Sequence, residues 1–199
     1  MNIFWLTLAV FLWGIVHSIM ASLEAKGWIQ RTIGNAGMRF YRLGYNLFSV
    51  VSFAPILWLM VVLPDKVLYR VHAPWMYLFL TGQLAAVVLL IVGVLQTDTL
   101  SFIGLRQLIE GEKRSPRLVT GGLYHWVRHP LYTAGLLFIW LTPLMSQNSL
   151  IVIIAATIYI IVGAFFEERK LKREFGQEYE EYRSKTPMLV PGMKFGRNK

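Results

Sequence analysis

Arg128, His129 and Tyr132 stand close together in Arg128-His129-Pro130-Leu131-Tyr132, with Tyr124 shortly upstream and Gly121-Gly122 before it. A guanidinium pairs with a carboxylate or phosphate, an imidazole exchanges a proton near neutrality, and phenol rings stack on flat ligands. A second group, Glu167-Glu168, offers two carboxylates that can take an ammonium or ribose-type hydroxyls. Both groups lie at the ends of apolar runs, where charge needs a partner or a task. This mixture suits a zwitterionic ligand with hydroxyls and an aromatic base. A structural ion pair at a membrane boundary is the plainer alternative.

The elements that must position these groups are apolar. The chain has 199 residues, 55% of them hydrophobic, and a mean hydropathy of +0.49, too much apolar surface for one soluble core. Runs at 2–23, 44–64, 75–96, 131–146 and 149–166 each approach the roughly 20 residues that span a bilayer as a helix. The expected fold is an all-α integral membrane bundle of five transmembrane helices in a single domain, residues 1–199. The fourth run is short, so its first turn is expected near Tyr124, with Pro130 inside it as a kink.

Charge gives the orientation, because cytoplasmic loops keep Lys and Arg. Four fall after the first run, five after the third and nine after Phe166, against only Lys66 and Arg70 in the other two loops. The N-terminus is therefore expected outside and the C-terminal tail in the cytoplasm. No basic segment precedes residues 2–23 and no small-x-small site closes them, so they read as a span rather than a cleaved signal.

The net charge of +9 follows from this bias and from attraction to anionic lipid, so no nucleic-acid partner is expected. With no cysteine, disulfides, thiolate catalysis and Cys-ligated metal are excluded. His17, His72 and His125 offer no paired spacing around His129, so no metal site is expected. His17-Ser18 in the first span reads equally as a helix-packing contact or as part of a cavity.

No repeat or low-complexity linker divides the chain. The polar stretch from Gln96 to Pro116 is long for a small membrane protein and reads equally as functional or merely connecting. The link Ser146-Gln147-Asn148-Ser149 is tight, so the fourth and fifth spans should form an antiparallel hairpin that brings Arg128 and His129 opposite Glu167 and Glu168. Leu171, Phe175, Tyr179 and Tyr182 then mark one face of a cytoplasmic amphipathic helix, interrupted by Gly176 and ended by Thr186-Pro187 and Val190-Pro191.

Leu118-Val119-Thr120-Gly121-Gly122-Leu123-Tyr124, Arg128-His129-Pro130-Leu131-Tyr132, and Glu167-Glu168 with Phe175-Gly176, Tyr179 and Tyr182 together resemble the isoprenylcysteine carboxyl methyltransferase superfamily. His17-Ser18-Ile19-Met20-Ala21-Ser22 looks more like its NnrU-like and methanethiol S-methyltransferase branches. The resemblance implies a membrane enzyme that binds S-adenosylmethionine on the cytoplasmic side, with a cofactor-binding part at about 104–191 and N-terminal helices in 1–100. Carried over by position, Pro116, Arg117, Leu118 and Val119 would line the cofactor and Tyr124 would pack on it. His129, Pro130, Leu131 and Tyr132 would form the opposite wall, and Glu167, with Glu168 beside it, would hold the polar end.

The expected reaction is methyl transfer to a lipophilic or small membrane-permeant acceptor, a thiol, amine or carboxyl, that enters from the bilayer. Arg128 would orient an anion and His129 would accept a proton. In the carboxyl methyltransferases an arginine four residues before the first matched glutamate is thought to hold the substrate carboxylate; Gly163 stands there, which speaks against an isoprenylcysteine acceptor. Two rivals are an NADPH-dependent membrane reductase of the sterol-reductase type, which usually has Asn where Leu131 stands, and a non-catalytic membrane protein.

Overall fold

The computed structural model describes residues 2–99, 105–106 and 117–193. In chain order the elements are α1 (Asn2–Ala21), α2 (Leu23–Val62), β1 (Val67–Arg70), α3 (Trp75–Leu95), α4 (Leu123–Trp126), α5 (Pro130–Trp140), β2 (Leu144–Ser146), α6 (Gln147–Phe175) and α7 (Gln177–Lys185). Helices α1, α3, α6 and the Ala36–Val62 part of α2 are long and apolar enough to cross a membrane. Their outer surfaces carry Phe11, Leu47, Trp58, Val61, Leu84 and Leu95, all exposed. A face that apolar is stable only against hydrocarbon, so this is an integral membrane protein.

The described residues group into two compact units, one within Met1–Leu68, Asp98–Ser115 and Ser146–Ala156, the other within Tyr69–Thr97, Pro116–Met145 and Thr157–Lys199. In the first, Leu6, Val10, Ile56 and Val152 form the buried core, ringed by Trp13, Phe53, Ile151 and Ala155. Polar contacts tie α1 to α2 inside this apolar setting: Trp13 Nε1 donates to Ser52 Oγ at 3.0 Å, and Tyr45 Oη lies 2.7 Å from His17 Nε2. His17 is thus a helix-packing contact. Asn148, almost fully buried, directs its amide toward the carbonyls of Met60, Leu63 and Pro64 that end α2, which α2 itself leaves without intrahelical partners.

In the second unit α5 runs antiparallel to α3. Gly93 faces Leu131 and Leu123, Gly82 faces Leu141, and Gln83 donates to the Phe138 carbonyl at 3.0 Å. The two glycines permit this approach, since a Cβ on either would lie 2.7 Å from a leucine methyl. At the Trp75 end of α3, β1 pairs with β2, and Val71 N–H donates to Pro143 O at 2.8 Å. This small sheet is the one departure from an all-α chain among the described residues.

The expected fourth span is the part that differs. Pro130 does not kink a helix; it occupies the first turn of α5, and α4 is a separate turn, because Val127 (φ −145°, ψ 149°) and His129 (φ −124°, ψ 65°) are non-helical. A residue before proline is driven out of the α region, and proline at a helix start loses no hydrogen bond. The same rule ends α5: Thr142-Pro143 cannot extend it, and the chain continues as the β2 strand. The 11-residue helix is about 16 Å long, half a bilayer core.

Helix α6 passes without a break from the apolar run into Glu167–Phe175, so its 29 residues extend about 44 Å and carry the charged end out of the hydrocarbon. Trp140 Nε1 donates to Thr157 Oγ1 at 3.0 Å and Tyr132 Oη to Glu167 Oε2 at 2.8 Å, which sets α5 and α6 antiparallel, as expected. Gly176 at φ +54° turns the chain into α7, and Lys172 Nζ reaches back to Glu180 at 2.6 Å.

Candidate active site

Two proline-bounded segments build the site. Arg128 and His129, out of helix before Pro130, have backbone N–H groups that no helix uses; Thr186-Pro187-Met188, past the end of α7, has carbonyls in the same condition. They pair: Arg128 N donates to Pro187 O at 2.9 Å and His129 N to Met188 O at 3.1 Å. Thr133 Oγ1 adds a bond to Leu189 O at 2.7 Å. Residues 186–189 thus form a strap, of which Thr186, Pro187 and Met188 are buried.

Arg128 is spent on structure. Its Nε donates to Glu168 Oε1 at 2.7 Å, its Nη2 contacts the same oxygen, and its Nη1 donates to the carbonyls of Arg183 (3.2 Å) and Thr186. Those carbonyls close α7, so the guanidinium caps that helix end while it neutralises Glu168. Arg183 Nε lies 3.6 Å from the other Glu168 oxygen. With the Glu168 side chain 8% exposed, this is a buried, hydrogen-bonded pair of the kind that costs heavily to break.

His129 is placed differently. Its ring, 5% exposed, stacks on Tyr132 with centroids 5.3 Å apart. Nδ1 lies 3.6 Å from Glu167 Oε2, the oxygen that also accepts the Tyr132 hydroxyl. Nε2 lies 3.5 Å from Glu168 Oε1, off the line of a hydrogen bond, and is buried with no hydrogen-bond partner in the protein. Such an orphaned ring nitrogen is costly unless something else satisfies it. Glu167, at 44% exposed, leaves a carboxylate face open to a ligand.

Tyr124 sits in α4, where Gly122 at φ +61° turns the chain and Leu123 N–H is captured by Gln96 Oε1 at 2.8 Å. A side chain on Gly122 would run into that Gln96 amide. The Tyr124 carbonyl accepts the Tyr182 hydroxyl. Burial, with the Glu167 charge adding to it, pushes the Tyr124 phenol up to about 12; burial likewise raises Tyr179 and Tyr182 well above the ordinary tyrosine value. These phenols stay neutral at physiological pH.

Of the expected site residues, the structure brings together Arg128, His129, Tyr132, Glu167 and Glu168, with Tyr124 near enough to feel Glu167. Pro130 is buried at the head of α5, and Leu131 packs on Gly93 of α3. Arg117 is exposed and Leu118 and Val119 are half-buried in irregular chain before Gly122; Pro116 lies outside the described residues. The residues that sequence reasoning passed over are Gln96, Thr133, Arg183 and the 186–189 strap. The signal for the strap was present: two X-Pro steps, each leaving unspent backbone groups.

A charged, aromatic cluster at the membrane boundary of a polytopic helical protein defines the class. The family model for phospholipid methyltransferases matches residues 76–178, more than half the chain and the whole cluster from Arg128 to Glu168. The protein belongs to this family of membrane methyltransferases. Methanethiol S-methyltransferase 1 of Bradyrhizobium diazoefficiens is 32% identical over 189 residues, covering 92% of this chain and 65% of its own length. Methanethiol S-methyltransferase of Crocosphaera subtropica is 30% identical over 191 residues, covering 90% of this chain and 71% of its own length. The chain thus spans about two thirds of the length of these relatives. Protein-S-isoprenylcysteine O-methyltransferase B of Arabidopsis thaliana is 37% identical over 81 residues, 38% of this chain and 40% of its own length. No solved structure matches the chain. The superfamily and the branch expected from the motifs are both borne out.

Proposed function

We propose that this protein transfers a methyl group from S-adenosylmethionine to a small or lipophilic membrane-permeant acceptor, a thiol before an amine or carboxyl. The observation that carries the reading is His129: a buried imidazole stacked on Tyr132 between two glutamates, with Nε2 unsatisfied by the protein. That nitrogen is available to a thiol proton. The open Glu167 carboxylate fits the ammonium or ribose hydroxyls of the donor, and Tyr124 and Tyr132 offer faces for its base. The likeness to methanethiol S-methyltransferases along nine tenths of the chain supports a small thiol.

When bound, S-adenosylmethionine supplies a methyl group already activated on a sulfonium, so the protein's work is alignment and exclusion of water. His129 takes the thiol proton. With the donor held by Glu167, Tyr124 and Tyr132, its sulfonium would supply the methyl group to the thiolate sulfur and keep the electron pair of the bond given up, so both products would be neutral thioethers. Glu167, 3.6 Å from Nδ1, stabilises the imidazolium once His129 has taken the proton, and Tyr132 donates to Glu167. Arg128 acts through Glu168 and the strap, as a positioning residue. Gly163 lies one turn before Glu167 with nothing within 4 Å of where a Cβ would be. No cation stands there to hold an acceptor carboxylate, which argues against isoprenylcysteine.

Five crossings, with the N-terminus outside and the site in the cytoplasmic leaflet, complete the reading. Its support is the course of residues 130–146, which start beside Gly93 at one end of α3 and reach β1 at the other. An 11-residue helix followed by extended chain thereby covers the length of α3.

The test is methyl transfer by protein in nanodiscs, with isotopically labelled S-adenosylmethionine and a panel of methanethiol, a small amine and a farnesylcysteine. Labelled dimethyl sulfide as the main product supports the proposal. Binding of NADPH in place of S-adenosylmethionine, or transfer only to the farnesylcysteine carboxyl, overturns it.

A further inference from the structure

Helix α2, 40 residues long, is two helices joined at Gly34, whose φ of 66° and ψ of −177° no helix contains. Only Ala36–Val62 has the length and composition of a span. The part before the kink begins at Leu23, and Ser22, the one residue between it and α1, accepts the Ala25 N–H on its hydroxyl at 3.1 Å. At roughly 100° per residue, Ala25, Trp28, Ile29, Thr32 and Ile33 fall within an arc of about 140°, while Glu24, Lys26, Gly27, Gln30 and Arg31 occupy the opposite side. Thr32 returns its hydroxyl to the Trp28 carbonyl at 3.0 Å, so it brings no unmet polar group to the apolar face.

Trp28, Thr32 and Ile33 on that face are uncovered by the protein, while Ala25 and Ile29 are half-buried. Trp28 is 63% exposed and Ile33 49% exposed. What covers it follows from its neighbours in the chain. Helix α1 before it and Ala36–Val62 after it are both membrane-length, and they pack on each other through Trp13–Ser52 and His17–Tyr45. Both ends of the segment are therefore anchored at one face of the bilayer. Eleven helical residues, about 16 Å, tethered at both ends to spans stay within reach of that face. The adjoining span ends also carry exposed apolar side chains, Ile19 and Phe40.

We propose that residues 23–33 form an interfacial helix docked on the lipid bilayer, with Trp28, Ile29 and Ile33 among the upper acyl chains and Lys26 and Arg31 at the level of the phosphates. Tryptophan prefers this depth, and lysine and arginine reach the headgroups along their aliphatic stems. Gly34 supplies the turn from the surface into the span, a backbone conformation that other residues rarely adopt.

The chain has no cysteine, so single cysteines at positions 28, 30, 31 and 33 can each carry a nitroxide. The full chain in nanodiscs containing phosphatidylglycerol would be probed by electron paramagnetic resonance with oxygen and a water-soluble nickel chelate as relaxants. Labels at 28 and 33 should be several-fold more accessible to oxygen than to the chelate, and labels at 30 and 31 should show the reverse. Equal water accessibility at all four positions overturns the proposal, as does protection of 28 and 33 from both relaxants. Spin–spin broadening at 28 would assign the face to a second copy and also overturn it. An independent readout on protein with the native backbone is quenching by brominated lipid, which should be weaker in Trp28→Phe than in wild type; equal quenching counts against the proposal.

Discussion

Arg128 and Glu168 hold each other out of water, and in doing so join three stretches of chain: the turn before α5, the outward end of α6 and the carbonyls that close α7. The neighbouring pair, His129 and Glu167, has looser geometry and an open side. Architecture and chemistry are thus divided between adjacent residues.

Arg128→Gln and Glu168→Gln should each destabilise the protein by about 3 kcal/mol, because each leaves a buried charge without its partner. The double variant should lose less than the two single losses added together, a coupling that a double-mutant cycle of thermal unfolding in detergent would show. Arg128→Lys should not rescue, since one ammonium cannot reach Glu168, Arg183 O and Thr186 O at once.

His129→Gln should lower the single-turnover rate of thiol methylation by about a hundredfold with little change in thermal stability. Its backbone bonds to Met188 and Thr133 are kept, and the amide loses the stack on Tyr132 and the capacity to accept a proton. A parallel fall in stability would assign His129 to the strap.

Glu167→Gln should weaken S-adenosylmethionine binding by about tenfold, the loss of one charge-assisted hydrogen bond, and leave the unfolding temperature nearly unchanged. Calorimetric titration of the two glutamine variants side by side separates Glu167, half open to solvent, from Glu168, which is buried.

Gly163→Arg has room at its first side-chain carbon and Glu167 one turn away as a partner for its charge, and it should shift acceptor preference from thiols toward carboxylates. The ratio of kcat/KM for farnesylcysteine to that for methanethiol is the measurement, and it should rise.

Tyr124, Tyr179 and Tyr182 are more basic in the fold than in the unfolded chain, chiefly through burial. A group whose folded value is raised stabilises the fold fully below the unfolded value and loses that contribution as pH rises through the folded one. The α7 and strap region should therefore loosen from about pH 10 toward pH 12, the ordinary and the raised tyrosine values. Limited proteolysis at Arg183 and Lys185 across that range should accelerate, and less steeply in Tyr179→Phe.

Much of this was legible in the residues. Apolar runs of bilayer length revealed α1, α3, α6 and the later part of α2, since in hydrocarbon composition alone decides whether a segment can span. The short Ser146–Ser149 link foretold the antiparallel approach of α5 and α6, and with it the meeting of Arg128 and His129 with the two glutamates. The kink expected inside the fourth run was misjudged because hydropathy weighs Pro130 and Pro143 as modestly apolar residues. Their effect is on backbone torsion, and it splits the run into a turn, a helix of three turns and a strand.

The sequence by itself determined which side chains bring charge to the membrane boundary and which segments are apolar, because solvation energies belong to residue types. Only the tertiary structure decided how that charge is spent. The two X-Pro segments stand far apart in the chain, and their backbone groups find each other only once α7 has folded back across Gly176. That closure takes Arg128 for the strap, seals Glu168 behind it, and leaves His129 Nε2 outside the hydrogen-bond network and Glu167 half open to solvent. Partnership among like groups depends on which is buried first and deepest, and burial is a property of the assembled chain.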